Sequence, residues 1–135
     1  MSAAEASKAV VRSYFERGVS GDPKLGELFA EDATWWIPPG SPMGGTYRGR
    51  AAVLEMLGRA FALYDVSTMK LALPLLVAEG PHVCALFQVD SRTARGTHHV
   101  CDYLAVFEVE RGKIRSVREF FDTQRVREVV FGLAG

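Results

Sequence analysis

The second half of the chain consists of strand-like runs that follow one another with no helix between them. Each run is rich in β-branched and aromatic residues, and a glycine-containing turn signal separates each run from the next. Because proline cannot donate to a strand ladder, Pro74 predicts that the first run is an edge strand or is bent. The runs cover residues 67–78, 83–93, 97–109 and 114–121. Consecutive strands joined by short turns predict one antiparallel sheet.

Helical patterns dominate the first half. Ser2 and Glu5 form a capping box that opens a first helix, and Gly18 is expected to end it. The further predicted elements are a short second helix after Asp22, a strand at 34–37, a third helix over 53–64 and a last short helix after Asp122. Helices grouped on one side of an antiparallel sheet define the α+β class. Three helices cannot fill the concave side of a long twisted sheet, so a pocket is expected there.

Composition excludes several classes of function. The 135 residues fit one domain, residues 1–135, and the 16 basic and 16 acidic residues cancel. No net field therefore favours nucleic acid or an anionic membrane as a partner, and no stretch resembles a signal peptide or a membrane span. Cys84 and Cys101 are expected to be reduced core residues, which favours a cytoplasmic location. His98 and His99 point to opposite faces of a strand, and no phosphate-binding glycine motif occurs, so neither a metal nor a cofactor is expected.

The turn at Arg95-Gly96 sets the predicted strand pairing. If these two residues form a two-residue hairpin turn, the numbers of directly opposed residues sum to 191. A slip of one residue would reverse the faces, because side chains alternate along a strand. In this register six residues share the face that lines the pocket: Gln88, Asp90, Arg92, His99, Cys101 and Tyr103.

The same register leaves apolar side chains on the other face of the sheet. These are Val83, Ala85, Phe87 and Val89 on one strand and Val100, Leu104 and Val106 on the next. This apolar surface exceeds what three helices can cover. We therefore expect a homodimer that packs through the convex face of the sheet.

Four stretches of the sequence carry a family resemblance. AVVRSYFERGVSGD, LFAEDATWWIPPGSP, YRGRAAVLEML and FEVERGKIRSVREFFD resemble the nuclear-transport-factor-2-like superfamily along nearly the whole chain. This superfamily includes ketosteroid isomerases, SnoaL-like polyketide cyclases and limonene-1,2-epoxide hydrolases. The resemblance implies a cystatin-like, cone-shaped α+β barrel in which a curved antiparallel sheet wraps about three helices and encloses a pocket for an apolar small molecule.

The ketosteroid isomerases provide one template for catalytic residues. Their oxyanion-hole tyrosine corresponds to Tyr14, their general-base carboxylate to Ile37 and their second oxyanion acid to Ala105. Two of the three groups are therefore missing. The resemblance implies that this chain does not isomerise steroids through that constellation.

The limonene epoxide hydrolases provide a second template. Their Arg-x-Asp pair corresponds to Gln88 and Asp90, and the acid of their last strand corresponds to Glu119. Both carboxylates are kept, but glutamine replaces the arginine. Two carboxylates in one dry pocket cannot both ionise cheaply, so one would act as a general acid and the other as a general base.

These patterns favour a cofactor-independent enzyme that acts on an apolar small molecule. The expected chemistry is epoxide hydrolysis, or a SnoaL-type cyclisation or isomerisation. The alternative is a non-catalytic ligand-binding or assembly module of the same fold. The candidate catalytic residues are Asp90, Glu119, Gln88 and Tyr14, and the candidate substrate contacts are Trp36, His99, Tyr103 and Cys101.

Overall fold

Six strands form a single open sheet. The computed structural model describes residues 1–134, so Gly135, the last residue of the predicted domain, lies outside the described residues. The strands are β1 Phe29–Ile37, β2 Gly45–Arg48, β3 Tyr64–Glu79, β4 His82–Thr93, β5 His98–Glu110 and β6 Lys113–Phe121. Their order across the sheet is β2-β1-β6-β5-β4-β3. The predicted α+β class and the curved sheet with helices are confirmed. The sheet is open rather than closed into a barrel, and it is mixed, because β1 runs parallel to β6.

Four helical segments accompany the sheet: α1 Ala3–Ser20, a 3-10 helix Pro23–Leu28, α2 Arg50–Phe61 and a short α3 Thr123–Arg125. The Ser2 side chain accepts a hydrogen bond from the Glu5 amide at 3.1 Å, which confirms the predicted N-cap. The helix continues through Gly18 and ends at Gly21, whose φ of 68° is left-handed. A π-helical turn, Val126–Val130, follows α3.

The core lies between the helices and one face of the sheet, which we call the inner face. α1 packs against β3, β4 and β5, and α2 packs against β1. Full burial of an aliphatic or aromatic side chain contributes about 1.5–3 kcal/mol, so this face supplies most of the hydrophobic stabilisation. The buried residues include Val11, Phe15, Val53, Met56 and Leu57 from the helices and Val83, Ala85, Phe107 and Val117 from the strands.

The predicted register between β4 and β5 is wrong by one residue. Asp90 pairs with Val100, and Val89 pairs with Cys101, so opposed residue numbers sum to 190. The reason is the turn, whose loop has three residues rather than two. The Thr93 amide donates to the Thr97 carbonyl at 2.8 Å, and Gly96 takes a φ of 86° inside the loop. Three-residue hairpin loops characteristically place a left-handed residue at this position.

The register error changes which side of β4 faces inward. The inner face of β4 carries Val83, Ala85, Phe87 and Val89, and the outer face carries Gln88 and Asp90. The inner face of β5 carries His99, Cys101 and Tyr103, as predicted. Thus the predicted face of β5 is correct and that of β4 is inverted.

The prediction for Pro74 is confirmed. β3 is an edge strand, and its pairing with β4 is irregular between Ala72 and Leu75. The proline therefore lies where it removes no bond from a regular ladder.

The outer face of the sheet carries a row of apolar side chains that crosses five strands. Leu75 pairs with Leu86, Leu86 with Leu104 and Leu104 with Phe120. The Phe120 ring lies 5.1 Å from the Trp36 ring on β1. No helix covers this row in the described part of the chain, and several of its members are exposed. Contiguous apolar surface of this kind is typical of subunit contacts.

A homodimer through this outer face is the first testable prediction. Leu104→Glu should convert a dimer into a monomer, because the substitution places a charge in the middle of the apolar row. Leu133→Glu is the matched control, since Leu133 is 44% exposed and Leu104 is 41% exposed. Light scattering at micromolar concentration measures the oligomeric state of the wild type and of both variants. A monomeric wild-type protein would contradict the prediction.

Candidate ligand cavity

A cavity of about 140 Å³ lies between the inner face of the sheet, α1, α2 and the segment after α3. A cavity of this size can hold a single six-membered ring. Its walls are predominantly apolar and aromatic. They include Met56, Leu57, Phe61, Met69, Phe87 and Val126. The cavity therefore suits an apolar ring compound.

Glu119 is the one acidic residue in this wall among the residues that the structure describes. It lies on β6 directly opposite Ala105 of β5, two residues along the inner face from the buried Val117. Burial raises the pKa of the Glu119 carboxyl from 4.5 to about 7. The basic neighbours of Glu119 in sequence are engaged elsewhere. Arg115 bonds to Glu110, and Arg118 lies over the Trp36 ring on the outer face.

Two further polar groups lie on the same side of the cavity as Glu119. The indole N–H of Trp35 is buried and has no hydrogen-bond partner of acceptable geometry among the described residues. It lies close enough to the Glu119 carboxyl to oppose the rise in that pKa. The Tyr14 ring lies 5.8 Å from the Trp35 ring. Burial and the Glu119 charge both raise the pKa of the Tyr14 hydroxyl well above its usual value, so the phenol stays protonated.

A chain of three hydrogen-bonding side chains begins behind the cavity and ends in its wall. His99 Nε2 lies 2.9 Å from the Tyr103 hydroxyl, which lies 3.3 Å from the Tyr64 hydroxyl. Both tyrosines line the cavity, whereas His99 is fully buried behind them. Burial, together with the nearby Arg125 and His98, lowers the pKa of His99 to about 4, so the imidazole is neutral at pH 7.

The structure divides the eight sequence-predicted site residues into three groups. Tyr14, Tyr103 and Glu119 line the cavity. His99 and Cys101 are buried on the inner face but do not reach the cavity wall. Trp36, Gln88 and Asp90 lie on the outer face, which corrects the prediction that they surround the pocket.

The outer-face location separates the predicted pair of carboxylates. Asp90 Oδ1 lies 2.7 Å from His98 Nε2, and Gln88 Nε2 donates to Asp102 Oδ1 at 3.2 Å. Asp90 and Glu119 are therefore on opposite faces of the sheet. A general acid and a general base must both reach one substrate within hydrogen-bonding distance, so these two carboxyl groups cannot act as a pair.

The sequence-based set lacks two cavity residues that carry hydrogen-bonding groups beside the candidate residues, Trp35 and Tyr64. Trp35, and not the predicted Trp36, lines the cavity, because strand alternation places Trp35 on the same face as Ile37, which the isomerase template assigns to the pocket. That alternation was the available signal. The helical spacing predicts Tyr64 as the last apolar residue of the third helix, but it is the first residue of β3. We find no sequence signal that would have placed its hydroxyl beside Tyr103.

Ile37 and Ala105, which stand where the isomerases have their two carboxyl groups, both face the interior. Ile37 lines the cavity, and Ala105 is buried directly opposite Glu119. The acid of the cavity, Glu119, is therefore on β6, the strand next to the one that carries the template position Ala105, and not at that position itself. Within residues 1–134, no group of three potential metal ligands is present and no helix is long and apolar enough to cross a membrane.

Comparison with solved structures supports the fold. Bal32a, from a soil-derived mobile gene cassette, is 28% identical with a TM-score of 0.85, and the match covers 95% of this chain and 98% of Bal32a. A Kribbella flavida protein described as a ketosteroid isomerase is 21% identical, with a TM-score of 0.72 and coverage of 90% and 82%. A Jannaschia protein described as a SnoaL-like polyketide cyclase is 12% identical, with a TM-score of 0.82 and coverage of 94% and 92%.

The family of the chain follows from a match over most of its sequence. No curated protein matches the chain. The predicted resemblance to the nuclear-transport-factor-2-like superfamily is confirmed by the structural neighbours. Since residues 11–117 match the SnoaL-like domain, the chain belongs to the SnoaL-like family.

Proposed function

We propose that this protein is a proton-transfer enzyme of the isomerase or cyclase type, with Glu119 as its general base and general acid. The observation that supports the proposal is a single carboxyl group, with a pKa raised to about 7, in the wall of an apolar cavity. A group with a pKa near the working pH is suited to both taking and returning a proton. Buried acids with perturbed pKa values are concentrated at functional sites.

The neighbouring donors suit a carbonyl substrate. Ionised Glu119 removes a proton from the carbon beside a carbonyl group, and the electron pair of the broken C–H bond moves to the carbonyl oxygen. The Tyr14 hydroxyl stays protonated, so it can donate a hydrogen bond to the resulting enolate oxygen. In a β,γ-unsaturated ketone the C=O bond then re-forms, the C=C bond shifts into conjugation with it, and protonated Glu119 returns the proton to the γ-carbon, which completes an isomerisation. In a cyclisation, the enolate carbon instead attacks a second carbonyl of the same molecule; the π electron pair of that C=O bond moves to its oxygen, which then takes the proton from Glu119.

Epoxide hydrolysis receives less support from the site. Opening an epoxide with water requires one group to activate the water and another to protonate the oxygen. The second carboxylate of the hydrolase template, Asp90, lies on the outer face. The isomerase or cyclase chemistry needs only the one acid that the cavity contains.

Turnover on a small ketone tests this function. Acetophenone is a suitable probe, because deuterium exchange of its methyl protons in D2O reports enolate formation and can be followed by NMR. Glu119→Gln should slow the enzyme-dependent exchange by about 10²–10⁴-fold, the usual contribution of a general acid–base group. Asp90→Asn is the matched control and should retain the wild-type rate. Equal rates in wild type and Glu119→Gln would refute the proposal, as would wild-type exchange no faster than in buffer.

The stability of the fold should report the burial of Glu119 without any substrate. Because its pKa is raised on folding, the folded state binds its proton more tightly than the unfolded state does between pH 4.5 and about 7. Stability is therefore lost as the pH rises through this window. Glu119→Gln removes the cost of ionisation. It should be more stable than wild type at pH 8, by up to about 3 kcal/mol since one pKa unit corresponds to about 1.4 kcal/mol.

Urea denaturation of both proteins at pH 8 and pH 5 measures this difference. The advantage of Glu119→Gln should shrink markedly at pH 5. Titration of His99 affects both proteins equally and cancels in the comparison. A difference that does not change with pH would show that the Glu119 carboxyl is well solvated in the folded protein.

A further inference from the structure

The buried histidine at the end of the His99–Tyr103–Tyr64 chain has an unsatisfied ring nitrogen. His99 is 0% exposed, and its Nδ1 has no hydrogen-bond partner among the described residues. The other ring nitrogen, Nε2, lies 2.9 Å from the Tyr103 hydroxyl. Because a neutral imidazole has one N–H and one lone pair, the chain can be polarised in only two directions.

The two directions differ in what they leave unsatisfied at Nδ1. If Tyr103 donates to Nε2, the proton of His99 is on Nδ1, and a buried N–H has no acceptor. If Nε2 carries the proton and donates to Tyr103, only a lone pair is left without a partner. Orphaned buried N–H groups are rarer in proteins than under-used acceptors. The second arrangement is therefore favoured.

This direction continues to the wall of the cavity. With Nε2–H donating to the Tyr103 oxygen, the Tyr103 proton is free to be donated to Tyr64 across the 3.3 Å between the two hydroxyl oxygens. The Tyr64 hydroxyl, in a residue that lines the cavity, then has its own proton available for a further acceptor. Successive hydrogen bonds polarise one another, which makes the terminal O–H a stronger donor.

The chain meets the cavity on the other side of Glu119 from Tyr14. Tyr14 packs against Phe107 on β5, whereas Tyr64 bonds to Tyr103, four residues earlier on the same strand. Ala105 lies between these two contacts, and Glu119 is directly opposite Ala105. The two tyrosines therefore contact β5 on either side of Ala105, the residue directly opposite Glu119.

We propose that Tyr64, oriented by Tyr103 and His99, is a ligand-binding residue that donates a hydrogen bond to a carbonyl oxygen of an apolar ring compound. The proposal deepens the proposed function, since it assumes the same cavity and the same ligand class. It does not require turnover. It adds a specificity requirement: a ligand that fits the cavity but lacks an acceptor at this position leaves a buried O–H unpaired.

Binding of two ligands of the same shape tests the proposal. Acetophenone has a carbonyl group where α-methylstyrene has a C=CH2 group, so the ratio of their dissociation constants isolates the acceptor oxygen. Ligand-observed NMR gives both constants for wild type and for Tyr64→Phe. Tyr64→Phe should weaken the binding of acetophenone relative to that of α-methylstyrene by about fivefold, the effect of one typical hydrogen bond. Tyr47→Phe is the matched control, because the Tyr47 hydroxyl donates to the Met43 carbonyl and Tyr47 is not among the residues that line the cavity, so the preference should not change.

The outcomes separate this proposal from the proposed function. A preference that is unchanged in Tyr64→Phe, or that falls equally in Tyr47→Phe, overturns the role of Tyr64. Glu119→Gln should retain the acetophenone preference even where it abolishes exchange. If Glu119→Gln exchanges normally and Tyr64→Phe loses the preference, the catalytic proposal fails and the binding proposal stands.

The direction of hydrogen-bond donation from His99 through Tyr103 to Tyr64 can be measured separately. Nitrogen-15 NMR of the histidine side chains, with the His99 signal identified by its loss in His99→Asn, should show His99 protonated at Nε2 and unprotonated at Nδ1. A proton on Nδ1 would mean that Tyr103 donates to His99, which would reverse the direction of donation and overturn the proposal.

Discussion

The pairing of β4 with β5 decides which chemical groups reach the cavity. Side chains alternate across a sheet, so a one-residue shift in the turn exchanges the two faces of a strand completely. The three-residue loop, with Gly96 in the left-handed conformation, turns Phe87 and Val89 inward and Gln88 and Asp90 outward. A two-residue loop would place a carboxylate and an amide inside the core, where each would need a partner. The apolar cavity therefore depends on this turn.

With Asp90 outside, the electrostatics of the cavity are those of a single acid. Glu119 has no basic side chain beside it in the described cavity wall, so burial dominates its pKa. An arginine at this point would hold the carboxylate ionised and lower its basicity. The neutral donors Trp35 and Tyr14 instead offer dipoles, which stabilise negative charge less strongly than a full cation does. The absence of a cation in this wall is what keeps the proton of Glu119 exchangeable near neutral pH.

Sequence reasoning succeeded where a pattern had one physical interpretation. The N-cap at Ser2 and the edge position of Pro74 correspond to the observed elements, whereas the loop at Arg95-Gly96 has one residue more than its pattern predicts. β2 was missed, because its four residues lie in a stretch rich in glycine and proline that carries no strand pattern. The parallel pairing of β1 with β6 was also missed, since strands distant in sequence leave no local signal of their partnership.

The cavity residues were predictable only in part, and for a different reason. Tyr14 and Glu119 were found by family resemblance, which transfers positions without requiring the strand register to be correct. Asp90 and Gln88 came from the same resemblance but were placed in the pocket by the wrong register. The alternation along β4 contained a warning: Phe87 and Val89 are apolar, while Gln88 and Asp90 are polar. An amphipathic strand normally buries its apolar side.

The pKa shifts of two buried groups on the inner face, Glu119 and His99, explain how an acid can be held in this cavity without unfolding the domain. Burial shifts both groups toward their neutral forms, with the pKa of Glu119 raised to about 7 and that of His99 lowered to about 4. Between these values the inner face carries no net charge from either group, so neither ion has to be desolvated. Ionisation of Glu119 above pH 7 then places one negative charge beside the Trp35 indole N–H, in a cavity wall that also carries the donor hydroxyls of Tyr14 and Tyr64. His99 cannot neutralise that charge, because its proton affinity is far too low. The donors must stabilise it, and they are equally suited to stabilise the same charge after it has moved to a substrate oxygen.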